Sequence, residues 1–207
     1  MNVLLVNGSP RAEGNTYVAL SEVACALSAN GVGSEFFQLG AAPVHGCAAC
    51  GKCAETRRCV FTGDVANALI EKMAAADGVV IGSPVYYACA NGALCAVLDR
   101  VFFMKSPLYA FKPAAAVVAC RRGGASAAFD RLNKYFTISK MPVVSSQYWN
   151  AVHGFLPGEA RLDREGMQQM RVLGENMAWM IKSIKEGRQP TPEPQAWDRM
   201  DFHHNGR

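Results

Sequence analysis

Four cysteines crowd into thirteen residues, as Cys47-Ala-Ala-Cys50-Gly-Lys-Cys53 and then, after five more residues, Cys59. The C-x2-C-x2-C-x5-C spacing lets one tight loop wrap its thiols round a compact inorganic centre. Its C-x2-C-x2-C core is shared with the iron–sulfur run of ferredoxins. Structural zinc usually takes two separated C-x2-C pairs, so zinc suits this spacing less well. Gly46, Gly51, Ala48 and Ala49 would let backbone N–H groups approach the sulfurs. Lys52, Arg57 and Arg58 flank the thiols. They would raise the potential of a cluster, or depress thiol pKa values in a thiol-based role. A cluster, free or redox-active thiols, and zinc are therefore three open readings.

A second set lies near the start. Gly8-Ser9-Pro10-Arg11-Ala12-Glu13-Gly14-Asn15-Thr16 combines permissive glycines, hydroxyl and amide donors and an arginine, just before a helix pattern. A helix start offers unpaired N–H groups and about half a positive charge. With Ser9, Arg11, Asn15 and Thr16 as donors, the loop suits a phosphate monoester. It is neither Gly-x-x-x-x-Gly-Lys-Ser/Thr nor Gly-x-Gly-x-x-Gly, so a Walker loop and a dinucleotide fingerprint are excluded.

The elements that must position these residues alternate. Val3–Val6, Gly78–Gly82 and Ala114–Cys120 are continuous apolar runs, the pattern of strands buried on both faces. Ser34–Gln38 and Met141–Ser145 are expected as a second and a last strand. Helix patterns follow from Asn15 to Asn30, behind Asp64, behind Asn91 and from Ala127 to Ser139. Met167, Met170, Leu173, Met177, Met180, Ile181 and Ile184 form one apolar stripe over 164–186. Alternation of strand and helix predicts a doubly wound α/β domain over 1–187, with helices on both faces of a parallel sheet. The cysteine run falls in an insertion at 40–62, and 188–207 reads as an irregular tail. In such folds ligands bind beyond the carboxyl ends of the strands. The loops Gly8–Gly14, Ser83–Gly92 and Arg121–Ala125 should therefore meet at one edge.

Gly-Ser-Pro-Arg followed by Gly-Asn-Thr, directly after the first strand, resembles the NADPH-dependent FMN reductase family and its iron–sulfur flavoprotein relatives. The resemblance covers about 1–185. It implies a flavodoxin-like five-stranded sheet of order 2-1-3-4-5, with FMN phosphate held by Ser9, Arg11, Asn15 and Thr16. It also implies that Pro84, Val85, Tyr86 and Tyr87 lie along the flavin ring. Proline stiffens that segment and a tyrosine could cover a ring face. Asn91 could bond the pyrimidine side, cap the next helix, or do both. Arg121-Arg122-Gly123-Gly124 occupies the third position. There Gly123 and Gly124 allow close approach and Arg121 or Arg122 could balance an anionic reduced flavin. Cys47, Cys50, Cys53 and Cys59 would bind a [4Fe–4S] cluster. The family implies a homodimer or homotetramer.

The 207 residues are half hydrophobic and 18% charged, with a net charge of +4. That charge is too small to argue for nucleic acid, and no apolar run is long enough to span a bilayer. The Met-Asn-Val-Leu-Leu-Val start lacks a basic leader. A cytoplasmic protein without a disulfide framework is expected. From Arg100 to Lys140 eight Lys or Arg face one Asp, a basic stretch suited to a solvated face, a phosphorylated cofactor or an acidic redox partner. No Ser-His-Asp or paired-carboxylate set stands out, so no catalytic side chain is assigned and the chemistry falls to the cofactor. An FMN-dependent oxidoreductase taking electrons from NAD(P)H is the leading expectation. An electron-transfer flavoprotein fed by a ferredoxin-like carrier, and a zinc-stabilised binding module, are the alternatives.

Overall fold

The computed structural model describes residues 1–104, 107–187, 189–193 and 195. Most of the expected tail, 188–207, including His203 and His204, lies outside the described residues. The elements are β1 (Asn2–Asn7), α1 (Asn15–Ala29), β2 (Gly33–Gln38), α2 (Cys53–Thr56), α3 (Ala66–Ala75), β3 (Gly78–Tyr86), β4 (Cys89–Ala90), α4 (Gly92–Phe103), β5 (Ala114–Cys120), α5 (Ala125–Ile138), β6 (Ala151–His153), a short 3-10 turn (Glu159–Leu162) and α6 (Arg164–Glu186).

Five strands pair in parallel in the order β2-β1-β3-β5-β6, and β4 folds back antiparallel on the end of β3. Apart from β4, this is the flavodoxin-like order that was expected. Side-chain alternation along β1 divides the core. Leu4 and Val6 pack with Leu69, Met73, Leu98 and Phe136 of α3, α4 and α5. Val3 and Leu5 pack with Val23, Leu27, Leu173 and Met177 of α1 and α6 on the other face. Each such fully buried side chain contributes about 1.5–3 kcal/mol. Gly174 is what lets α6 lie against α1, because a Cβ there would stand 2.6 Å from the Cβ of Ala26.

Two expectations about strands are corrected. Met141–Ser145 is not the last strand. It makes one bridge, Val143 with Ala114, because Pro142 has no N–H to continue a ladder. The sheet edge is instead the three-residue β6. Likewise β3 does not stop at Gly82. It runs on through Ser83 and Pro84, paired with Val118 and Ala119 of β5, to Tyr86.

Candidate functional site

The carboxyl ends of β1, β3 and β5 open into a cleft. Ser9, Arg11, Asn15 and Thr16 line one end of it, Pro84, Val85 and Tyr86 the middle, and Cys120, Arg121, Gly154 and Phe155 the far wall. The first loop is fixed from below. Asn7 is buried and donates through Nδ2 to the carbonyl of Ala12 at 3.2 Å and to Gln38 Oε1 at 2.7 Å. Gln38 Nε2 donates to the carbonyl of Ser9 at 2.6 Å. Ser9 Oγ accepts from Arg11 N at 3.1 Å, which curls the loop. No side chain caps α1, and its first turn holds no acidic residue. Its leading N–H groups therefore face the cleft mouth with the positive end of the helix dipole. Such an end, with the Arg11 guanidinium beside it, is built for a dianion.

Asn15 does something else besides. Its Nδ2 donates to the carbonyl of Leu156 at 3.0 Å and its Oδ1 accepts from Ala160 N at 3.0 Å. It thus ties the start of α1 to the 154–160 segment. Asn91 is equally committed. Its Oδ1 caps α4 through Ala93 N at 3.0 Å, and its Nδ2 donates to the carbonyl of Gly8 at 2.8 Å. The capping role is filled, and the same amide joins the first loop to the second.

The β3–β4 hairpin turns through Tyr87 and Ala88, with φ of 49° and 58°. Two left-handed residues make the turn that matches strand twist, a place where glycine and asparagine are usual. Each non-glycine residue there stores about 1–2 kcal/mol. Tyr86 is half-exposed at the cleft, whereas Tyr87 is fully exposed at the tip and outside the lining. Gly124, at φ 91°, backs the turn. A Cβ on it would stand 2.7 Å from the Cα of Ala88. Gly124 therefore backs the hairpin at the start of α5, a Cβ on Gly123 would meet nothing within 4 Å, and neither glycine lines the cleft. Arg121 does line it, with its guanidinium 4.9 Å from the centre of the Phe155 ring, a cation–π contact.

The cysteine loop forms a separate opening, lined by Cys47, Cys50, Cys53 and Cys59 together. Ala49 and Gly51 take positive φ, and α2 begins at Cys53. Burial pushes the Cys53 thiol up, and the charges of Cys47, Cys50 and Cys59 add to the push against a partial offset from its backbone hydrogen bond. Among the described residues, no three His, Cys, Asp or Glu side chains converge on a single ion. Tetrahedral Zn–S bonds of about 2.3 Å would draw sulfurs to about 3.8 Å apart.

Arg100 is the residue that the sequence reading missed. Its side chain is 1% exposed and pairs with Asp64, itself 6% exposed. Nε donates to Cys59 Sγ at 3.1 Å, Nη1 to the carbonyl of His45 at 3.1 Å, and Nη2 to the carbonyl of Phe61 at 2.9 Å. Burial alone would raise the Asp64 pKa. The hydrogen bond from Arg100, those from His45 N and Ala66 N, and the Arg100 charge more than offset it and hold the carboxyl below its ordinary value. The available signal was an arginine inside the apolar stripe of α4, between Val97 and Val101. His45 stacks on Phe61 with ring centres 4.1 Å apart and is part of the loop's packing. His153 pairs with Asp163 at 3.3 Å, outside the cleft.

With this geometry in place, comparison with known proteins is direct. Residues 1–155 match the model of the NADPH-dependent FMN reductase family. The chain belongs to that family. An iron–sulfur flavoprotein of Methanocaldococcus jannaschii is 32% identical over 197 residues, covering 90% of this chain and 100% of the relative. One of Methanosarcina thermophila is 26% identical over 192 residues, covering 91% and 99%. Among solved structures, RosB with bound 8-demethyl-8-formylriboflavin-5'-phosphate superimposes with a TM-score of 0.71 at 16% identity, covering 100% of this chain and 93% of that one. A flavodoxin from the domain Archaea gives 0.60 at 13%, covering 88% and 99%. At these identities the two structures speak for the fold alone. As a member of the FMN reductase family with iron–sulfur flavoprotein relatives, the chain is an FMN-dependent flavoprotein. No described helix is long and apolar enough to cross a membrane.

Proposed function

We propose that this protein is a cytoplasmic oxidoreductase that moves electrons between NAD(P)H or a reduced carrier and an acceptor through FMN, with a [4Fe–4S] cluster as a second centre. One observation carries the reading: the four cysteines line a single opening, on a chain whose strand ends already form an anion-ready cleft. When bound, FMN supplies hydride and single-electron chemistry, and the cluster supplies single-electron storage.

The chain's own residues do the rest. Ser9, Arg11, Thr16 and the first N–H groups of α1 would hold the FMN phosphate. Pro84, Val85 and Tyr86 would support the ring, with Tyr87 and Gly124 setting the hairpin behind them and Asn91 locking the two loops together. Arg121, steadied by Phe155, places a positive charge at the far wall, where it would favour an anionic reduced ring. Cys47, Cys50, Cys53 and Cys59 would hold the cluster, and the N–H of Arg100 would favour its reduced form through Cys59.

A relay without NAD(P)H oxidation is the second reading. Cys47 and Cys50 are exposed, and Lys52 and Arg57 beside them in sequence are exposed too, while Arg58 pairs with Glu71. That surface suits an acidic, ferredoxin-like carrier. A homodimer or homotetramer completes the proposal.

The test is iron, acid-labile sulfide, zinc and FMN per chain on protein purified without oxygen. About four irons and four sulfides beside one FMN support the proposal. FMN without iron or sulfide removes the cluster from it, and zinc in place of iron overturns that part. Anaerobic NADPH or NADH that bleaches the flavin supports the reductase. Bleaching by reduced ferredoxin or dithionite only makes the protein a relay.

A further inference from the structure

A third opening lies at the β6 edge of the sheet, where α5, the start of α6 and the 148–153 segment meet. It shares no residue with the cleft or with the cysteine opening. Phe129, Tyr148 and Trp149 give it aromatic walls, and Gln169 of α6 also lines it. Gln169 is 4% exposed, and its Oε1 is buried with no hydrogen-bond partner among the described residues. A buried amide oxygen gives up its water on folding and in nearly all proteins gains a donor in exchange. Packing does not explain a glutamine here. Met167, Met170 and Leu173 fill the same buried face of α6, and a methionine at 169 would do so without an unmet bond.

The aromatic wall is held in place. The Tyr148 and Trp149 rings lie 5.0 Å apart, and both side chains are more than half exposed. Their backbone is fixed on both sides. Ser146 Oγ accepts from Tyr148 N at 3.3 Å, and Ala151 N donates to the carbonyl of Trp149 at 2.7 Å. Asn176 Nδ2 ties the preceding Ser145 carbonyl to α6 at 2.8 Å. Two large rings are thus kept at the surface on a braced segment.

The charge of the opening is opposite to that of the cleft. Asp163 and Glu165 line it, and among the described residues none of its lining side chains is Lys or Arg. Asp163 is committed to its own neighbours, since Oδ1 accepts from Gly166 N at 2.9 Å and Oδ2 from His153 N at 2.7 Å. Glu165 is exposed and makes no ion pair among the described residues. It lies four positions before Gln169 in α6, so the two share one face of the helix. The start of α6 carries about half a positive charge, which two carboxylates outweigh.

We propose that this opening binds an arylalkylamine, an aromatic ring joined by a short alkyl chain to a protonated amine. The ring packs on Tyr148 and Trp149. The ammonium group donates an N–H to Gln169 Oε1 and faces the Glu165 carboxylate. An ammonium supplies both things the opening lacks, a donor and a positive charge, and an aromatic body suits walls that also favour a cation. The residues differ from those of the cleft, so the site does not depend on FMN.

The test uses phenethylamine and phenylacetate, which carry the same ring and opposite charges, in calorimetry on the full chain loaded with FMN. The amine should bind at one per chain, and phenylacetate about tenfold or more weakly. The indole N–H resonance of Trp149, identified by its loss in Trp149→Ala, should shift with the amine. Gln169→Met should weaken the amine about tenfold or more while the melting temperature holds or rises, since the unmet bond is gone. Trp149→Ala changes an exposed side chain and should weaken the amine about threefold or more. No binding of the amine at millimolar concentration, or equal binding of the two probes, would overturn the proposal. So would unchanged amine affinity in either variant.

Discussion

Replacing Arg100 by methionine keeps the volume and removes the charge. Asp64 is then left as a buried carboxylate whose remaining bonds come from His45 N at 2.9 Å and Ala66 N at 3.1 Å. Removing one partner of a buried pair costs about 3–5 kcal/mol. Since two N–H groups still face Asp64, the lower end applies, about 3 kcal/mol, or about 100-fold in an opening equilibrium. The loss falls on the cysteine loop, because Cys59 and the carbonyls of His45 and Phe61 all belong to it. The assay is native-state hydrogen exchange at Cys59, whose N–H donates to Asn67 Oδ1 at 2.8 Å. Exchange there should rise about 100-fold in Arg100→Met. It should be largely restored when Asp64→Asn is added, since the stranded charge is then gone. A change of threefold or less in the single variant, or an equal loss in the double variant, would refute the account.

The same pair sets an acid limit. The Asp64 pKa is depressed below its ordinary 3.8, so its contribution is complete above that value and is lost as pH falls through the lower folded one. Urea midpoints measured from pH 5 down to about 2 should fall less steeply for Arg100→Met than for the wild type. Arg11→Ala removes a charged donor worth about 1.5–3 kcal/mol, so FMN should bind at least tenfold more weakly while riboflavin, which lacks the phosphate, binds unchanged in calorimetry. Gly124→Ala puts a Cβ 2.7 Å from the Cα of Ala88 at a positive φ. It should lower stability by about 2 kcal/mol or more, visible as a reduced melting temperature. Ala88→Gly removes about 1–2 kcal/mol of strain against about 0.5–1 of added chain entropy, and should raise the urea midpoint slightly.

The parts of the fold that the sequence made legible are those where one physical requirement dominates. Val3–Val6 and Ala114–Cys120 have nowhere to go but the middle of a sheet. The methionine stripe of α6 has one possible face. Crowding of Cys47, Cys50, Cys53 and Cys59 forces them into one neighbourhood whatever they bind. The hidden parts are those where partners distant in sequence decide. Ser83 and Pro84 look like a stop signal, yet β5 lies alongside and holds them in the strand. β6 is three residues long and too short to show a period. Asn15 and Asn91 read as donors to a ligand, but each finds backbone partners that no spacing rule reveals. Arg100 looked like a helix-surface charge because its acceptors lie 36 to 55 positions earlier.

The clamp by Asn15 also sets an order of assembly. Its partners, Leu156 and Ala160, lie 141 and 145 positions further along the chain, and the face of α1 that carries Val23 and Leu27 is covered by α6. At about 5–20 residues per second, a ribosome delivers that segment about 7–29 s after Asn15. Until then the cleft lacks Gly154, Phe155 and Pro157 from its lining, and an apolar helix face lies open to water. The nascent chain can build its first three parallel strands early, but it can complete the cleft only after residues 154–160 have been made.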